Sequence, residues 1–381
     1  MTLGILGPFP PFRGGIATFN VHLWTELHKR TRCTAWNYRR LYPRSIFPGQ
    51  TQLDESQLPF QVPAEAVFDP FRPWHWPAGL NAIGRSMPRA LIVAVWTPLF
   101  APSLAVFLNR LRRRTRIPLA AVCHNVQPHE SIPLGGIFQR RLLRAMDTVI
   151  VHCRRDQDAL AGARPGQTVI ALYHPLYEQF PGPADLDRND ARARLGLADS
   201  TRRLILFFGL VRPYKGLDVL LEAFRMLSAT DPDVSLMVAG EFYEKPERFE
   251  PLLGELVRSG RLILRDRFIP NEDVHLHFRA ADLVVLPYRH ATQSGIIPLA
   301  YQFGRGVVST RVGGLDEMVA DGESGYLVSP DDPAALAEAI RRFLARQTHI
   351  ESHVPGFADR FRWPGYVNAL LAALPPPPSI L

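Results

Sequence analysis

Residues 282–328 read DLVVLPYRHATQSGIIPLAYQFGRGVVSTRVGGLDEMVADGESGYLV, and the order of elements inside them decides the fold. The aliphatic run Leu283–Leu286 predicts a strand buried on both faces. It passes into a polar loop, after which Gln293-Ser294-Gly295 opens an apolar helical segment. The first four amides of a helix have no partner within it and carry the positive end of the dipole. Such a turn suits a diphosphate, and the succession of strand, turn and helix is the repeating unit of a parallel α/β sheet.

The same rhythm extends outward from this stretch. Strand-like runs near 204–208, 235–239, 262–264 and 307–309 make a regular second half, while 3–6, 91–96, 119–123 and 149–152 mark the first. Helices fall between them. Residues 217–227 place apolar side chains at 217, 220, 221, 224 and 227, the stripe of a helix laid on a sheet. Asp332-Pro333 is a cap followed by proline at the first helical position, and an apolar helix is expected over about 363–374. Between the halves, 177–200 is rich in Pro, Gly, Asp and Arg, punctuated by Pro181-Gly182-Pro183, and reads as the linker.

A chain of 381 residues can bury two cores. With 46% apolar and 21% charged residues, its composition is that of an ordinary soluble protein. Cys33, Cys123 and Cys153 are too few and too scattered for a disulfide framework or a CxxC metal site, which fits a reducing cytoplasm. The opening residues lack the basic start and long apolar core of an export signal. Residues 90–108 carry no charge over nineteen positions, yet Pro98 and Pro102 interrupt them. The expectation there is a buried strand and then a helix from Pro102, rather than a membrane span.

The net charge of +8 and a pI near 9.7 predict an anionic partner. Arg110 and 112–114, then Arg140, Arg141 and Arg144, interleave with Ile137, Phe138, Leu142 and Leu143. That mixture suits an anionic membrane surface and equally a solvated helix face. Nucleic acid is disfavoured, because no zinc finger, recognition helix or aromatic-basic RNA motif occurs.

Several loops hold residues able to do chemistry. Gly209-Leu210-Val211-Arg212-Pro213-Tyr214-Lys215-Gly216 joins a strand to a helix and brings two cations into one turn. Lys215 is one of three lysines among 44 basic residues, so a compact ammonium was kept where arginine is the rule. Gly14-Gly15 follows the opening strand and lets backbone approach a ligand; a plain turn explains it as well. His124 stands at the carboxyl edge of a strand, where open α/β sheets bind ligands. Glu241 ends another strand. Glu317 follows Gly313-Gly314, at a helix start where a carboxylate also offsets the dipole. His129-Glu130 reads either as an acceptor contact or as a surface turn. Asp-x-Asp pairs at Asp156/Asp158, Asp185/Asp187 and Asp231/Asp233 do not end a strand of the second half, so no metal is expected.

Residues 282–328, together with the 209–216 and Gly14-Gly15 loops, resemble the retaining family 4 (group 1) glycosyltransferases. The match is to a subgroup with Thr-Gln-Ser-Gly in place of the usual Glu-x7-Glu motif: the two Glu positions fall on Ala291 and Leu299, and Gly306 replaces the usual Pro. The resemblance implies an α/β fold of GT-B type, two Rossmann-like domains with parallel sheets facing across a cleft. It places an acceptor-binding domain at 1–182, a donor-binding domain at 183–355, and a terminal helix with a Pro-rich tail, 356–381, crossing back to the first domain. It implies sugar transfer from a nucleotide-diphosphate donor to a glycan or lipid-linked acceptor with retention and without metal or resident cofactor. Cell-envelope or exopolysaccharide synthesis, on the inner face of the membrane or in the cytoplasm, would be the setting. By the same resemblance His124, Arg212 and Lys215 are catalytic, and Gly14, Gly15, Gly209, Glu241, Gln293, Ser294, Gly295 and Glu317 bind the donor. Two other readings stay open: a sugar-nucleotide epimerase using Glu130, Glu241 or Glu317, and a non-catalytic nucleotide-binding partner at a membrane.

Overall fold

The computed structural model describes residues 2–43, 47, 49–126, 134–162, 164–178, 180, 182–183, 185–197 and 202–376. The chain divides into two units, one of residues 1–54, 59–173 and 363–381, the other of 55–58 and 174–362. Each is a Rossmann-like domain built on one parallel sheet.

The first unit has seven strands: β1 (Thr2–Leu6), β2 (Arg32–Tyr38), β3 (Ala64–Phe68), β4 (Leu91–Val95), β5 (Leu119–Cys123), β6 (Thr148–Val151) and β7 (Thr168–Ala171), in the order β3-β2-β1-β4-β5-β6-β7. Alternation along β4 shows how the sheet is buried twice. Leu91, Val93 and Val95 enter a core with Trp76, Leu104 and Phe107, whereas Ala90 and Ile92 face Phe19, Trp363 and Tyr366. Helices Trp76–Ser86, Ala101–Thr115 and Gly135–Arg144 cover the former face, and Gly15–His28 with Trp363–Ala373 covers the latter. Residues 90–108 are thus β4 and the following helix, as expected, and no described helix is long and apolar enough to cross a membrane.

The second unit has six strands: β8 (Arg203–Phe208), β9 (Val234–Ala239), β10 (Leu262–Arg265), β11 (Leu283–Leu286), β12 (Val307–Thr310) and β13 (Gly325–Val328), in the order β10-β9-β8-β11-β12-β13. Buried Asp282 locks its centre. Its carboxylate accepts from the Leu204 amide at 2.6 Å, from Arg192 at 2.5 Å and from Gln347 at 2.9 Å, so the charge entering β11 is fully hydrogen-bonded.

The boundary between the units is Tyr173/His174, earlier than the expected 182/183. The reason is packing: the Leu176 amide bonds the Phe361 carbonyl at 3.0 Å, and Gly182 lies so close to the His275 ring that a Cβ would meet it at 2.4 Å. Leu176 and Gly182 are therefore packed into the second unit. Helix Gln347–Ala358 also stays with the second unit, and the chain returns to the first at Trp363 rather than at 356.

Candidate functional site

At the carboxyl end of the second unit's sheet, four loops are fastened to one another by backbone contacts. Beyond β8 and β9 the pairing continues: Val211 donates to the Glu241 carbonyl at 2.9 Å, and Tyr243 donates back to Val211 at 3.0 Å. Pro213–Lys215 then forms a single 3-10 turn, closed by Gly216 in the left-handed region at φ 66°. A Cβ at 216 would sit 2.1 Å from the Pro287 carbonyl, so glycine alone allows this turn to lie on the end of β11. Gly313, at φ 57°, comes as close to the Ala291 carbonyl, 1.6 Å from an ideal Cβ, and Gly314 donates to Thr292 at 2.9 Å. Arg289 clamps the whole: its amide donates to Tyr214 at 2.7 Å, and its guanidinium reaches the Pro213 carbonyl, both oxygens of Asp218 at 2.8 Å, and Asp331 at 2.6 Å.

Lys215 sits inside this frame, 8% exposed, with Nζ 5.5 Å from the centre of the Tyr288 ring. It makes no ion pair with a described carboxylate. Burial, and then the neighbouring Arg212 charge, push its pKa down to about 7. An ideal Cβ at Gly209 would lie 3.1 Å from this Nζ and in ordinary contact, 3.6 Å, with the Ile296 side chain, and the residue itself sits at φ 94°, so glycine at the end of β8 leaves the ammonium uncrowded. Arg212, on the same turn, stacks over Tyr243 at 4.9 Å.

The Gln293-Ser294-Gly295 turn is next to Lys215 through Tyr288, whose hydroxyl is 3.5 Å from Ser294 Oγ. Ser294 Oγ accepts from the Ile296 amide at 3.2 Å, just ahead of the seven-residue helix Ile296–Gln302, whose N-cap Gly295 makes no side-chain bond. The Ser294 and Gly295 amides donate to no described residue. Gln293 Oε1 is buried and has no hydrogen-bond partner among the described residues. Leu299, where the family usually has its second carboxylate, is 4% exposed and packs inward, while Gln302 is half-buried. Glu241 is buried in the loop that pairs with Val211, and Glu317 is exposed on the turn Asp316–Met318.

Sequence reading missed Tyr177. Its hydroxyl would be 2.8 Å from a Cβ on Gly295 and lies 3.4 Å from His174 Nε2, so its ring backs the 293–295 turn. The residue stands in an aperiodic segment, and glycine at 295 was the one hint that something packs there.

In the first unit, Asn37 fixes the loop after β1 by accepting from the Phe9 amide at 3.0 Å and donating to the Phe9 and Pro10 carbonyls at 3.1 Å. Gly14, at φ 110°, caps helix Gly15–His28 without a side-chain bond, and a Cβ on Gly14 or Gly15 would meet nothing within 4 Å. His124 follows β5, its amide bonded to the Val95 carbonyl at 2.8 Å. Its ring is buried, 4.8 Å from Phe19 edge to face and 5.1 Å from His152. Burial lowers the His152 pKa to about 4, so that neighbour is neutral at pH 7. His129 and Glu130 lie outside the described residues. Among the described residues no group of three or more His, Cys, Asp or Glu is placed to hold a metal. Asp187 caps helix Arg188–Arg194 through the Asp190 amide.

Residues 202–346 match the family model described as glycosyl transferases group 1. D-inositol 3-phosphate glycosyltransferase of Geodermatophilus obscurus is 37% identical over 288 residues, 69% of this chain and 62% of that protein. A protein of the same name from Catenulispora acidiphila is 34% identical over 61% of this chain and 57% of its own length. The chain thus spans less than two thirds of these relatives. Among solved structures, sucrose-phosphate synthase of Thermosynechococcus elongatus and Anabaena HepE in complex with UDP each superpose with a TM-score of 0.72 at 18% identity, over 98% of this chain and 100% of theirs. The chain has the two-domain GT-B fold, and residues 202–346 of its second unit match the model described as glycosyl transferases group 1.

Proposed function

We propose that the chain is a retaining, metal-independent glycosyltransferase that moves a sugar from a nucleoside-diphosphate donor to a glycan or lipid-linked acceptor, in cell-envelope or exopolysaccharide synthesis at the cytoplasmic side of the membrane. The observation that carries this reading is Lys215: a buried cation with no carboxylate partner among the described residues, set between a bare glycine and a turn whose Ser294 and Gly295 amides donate to no described residue. A diphosphate supplies the missing counter-charge.

In the reaction, the anomeric carbon's bond to the β-phosphate oxygen breaks as its bond to the acceptor oxygen forms on the same face, and the acceptor proton passes to the leaving phosphate. Lys215, Arg212 and the Ser294 and Gly295 amides stabilise the charge that grows on that phosphate. Gly209 gives the ammonium its room. Gln293 Oε1 accepts from a sugar hydroxyl without adding negative charge beside the diphosphate, Glu241 and Glu317 complete the donor loops, and Gln302 takes the ribose contact in place of Leu299. Gly14 and Gly15 are assigned to a ligand in the first unit, and His124 to orienting the sugar. UDP is the first donor nucleotide to test, since HepE was solved with UDP and with UDP-glucose. A phosphorylated polyol is the second acceptor class, favoured by the name shared by the inositol-phosphate relatives.

The test is a screen of nucleotide sugars against a crude lipid fraction and against inositol 3-phosphate, read by mass spectrometry, with EDTA present and absent. A product whose new linkage keeps the donor's anomeric configuration by NMR, formed equally in EDTA, is the expected result. Nucleotide binding with no transfer to any acceptor would instead support the non-catalytic reading, and conversion of the donor sugar to its epimer would support the epimerase.

A further inference from the structure

We propose that the outer face of helices Ala101–Thr115 and Gly135–Arg144 in the first unit is a docking surface for an anionic lipid bilayer. This goes beyond the transfer reaction and stands whether or not the chain transfers sugar. Its first support is a charge imbalance on the longer helices over one face of one sheet. Trp76–Ser86, Ala101–Thr115 and Gly135–Arg144 contain no Asp or Glu, whereas the seven-residue helix Arg154–Leu160, which adds Leu160 to the same core, has Asp156 and Asp158. In the second unit, every α-helix that has an arginine also has an acidic residue: Arg188–Arg194, Leu217–Thr230, Leu252–Arg258, Asn271–Ala280 and Pro333–Ala345. A basic composition alone would have spread the imbalance over both units.

The second support is where these arginines stand. The two helices pack side by side. Arg112 turns to their inner side, where it bonds the Ala145 carbonyl and pairs with Asp147. Arg110, Arg113 and Arg114 on one helix and Arg140, Arg141 and Arg144 on the other are exposed, and none pairs with a described carboxylate. Six like charges on neighbouring helices repel one another unless an anionic surface meets them.

The third support separates a bilayer from other polyanions. Val106, Ile137 and Phe138 are 45%, 52% and 36% exposed on the same two helices, interleaved with the arginines. Apolar side chains at the headgroup boundary enter the acyl region while guanidinium groups stay with the phosphates. Binding to nucleic acid leaves exposed aliphatics without a role. The helices have 15 and 10 residues, too short to span, so they lie in the plane of the interface.

The experiment is vesicle flotation of the full chain with phosphatidylcholine alone and with 30% phosphatidylglycerol, at low and high salt. Wild type is expected to float with the anionic vesicles only, and to be released by salt. R140E/R141E/R144E should lower the partition coefficient by roughly 100-fold or more, from about 1 kcal/mol for each basic residue at the surface. I137S/F138S should lower it about 10-fold at unchanged charge. The charge-matched R225E/R258E/R341E variant in the second unit should change it less than about 3-fold. Circular dichroism melts of each variant, matching wild type, establish that folding is retained. No flotation of wild type, equal flotation with neutral vesicles, or equal losses in both charge variants would overturn the proposal. So would tighter binding to duplex DNA than to vesicles that I137S/F138S leaves unchanged.

Discussion

The two Rossmann-like units finish their central strands in opposite ways. In the second, loops after β8, β9, β11 and β12 are fastened by glycine-to-carbonyl contacts and by the Arg289 clamp around one buried cation. In the first, Gly14 and Gly15 border open space and His124 is enclosed by aromatic rings. A preset cation with fixed donors suits a ligand group that never varies, such as a diphosphate, because little reorganisation is needed when charge develops. An open glycine edge suits a ligand whose shape is set elsewhere.

The comparison breaks most sharply at Lys215. Replacing it with Met keeps the apolar stem and removes the one buried ammonium. Transfer should fall by about 1000-fold, within the range seen when a charge-stabilising donor is lost, and UDP affinity measured by calorimetry by about 10- to 100-fold. A UDP affinity equal to wild type would remove Lys215 from the donor site. The variant should also be more thermostable in the absence of ligand, since a desolvated charge is gone.

Gln293→Ala is the next largest. If Oε1 accepts from a sugar hydroxyl as proposed, kcat/KM should fall about 10-fold, near the value of one hydrogen bond to a neutral group, with UDP affinity changed less than about 2-fold. Equal loss of both would move Gln293 from the sugar to the nucleotide.

Tyr177 sharpens the idea of a built frame. Tyr177→Ala opens space behind Gly295 and should lower kcat severalfold at nearly constant KM, whereas Tyr177→Phe keeps the ring and should restore most of the rate. If Phe were as poor as Ala, the hydroxyl facing His174 would matter rather than the packing.

Much of this was legible in the sequence, and the exceptions share a cause. Strands β4, β5, β8 and β11 announce themselves because both faces are buried and nearly every residue is apolar. β2 and β3 do not: Arg32–Tyr38 mixes charge, amide and aromatic residues, and Ala64–Phe68 is an edge strand with exposed Ala and Glu positions. Lys215 stood out by its rarity and Gly209 and Gly216 by their place after a strand. The backing of Gly295 by Tyr177, the orphaned Gln293 oxygen and the unit boundary at Tyr173 depend on contacts between segments far apart in the chain, which no local period encodes.

The effect of pH has a fixed sign. Lys215 titrates near 7 in the folded chain and near 10.5 when unfolded, so the charged form is penalised by folding. The resulting loss of stability is absent above the unfolded value, grows as pH falls from about 10.5 to 7, and is complete below 7. A bound diphosphate favours the ammonium. UDP binding should therefore weaken as pH rises from 7 to 9, by at most about 10-fold per unit, with proton uptake detected from the buffer dependence of the calorimetric enthalpy. K215M supplies the baseline, because the phosphate's own titration remains in it. A wild-type slope identical to that of K215M would mean that the buried amine is not the group the diphosphate charges, and the contrast between a preset cation site and an open glycine edge would then rest on the backbone donors alone.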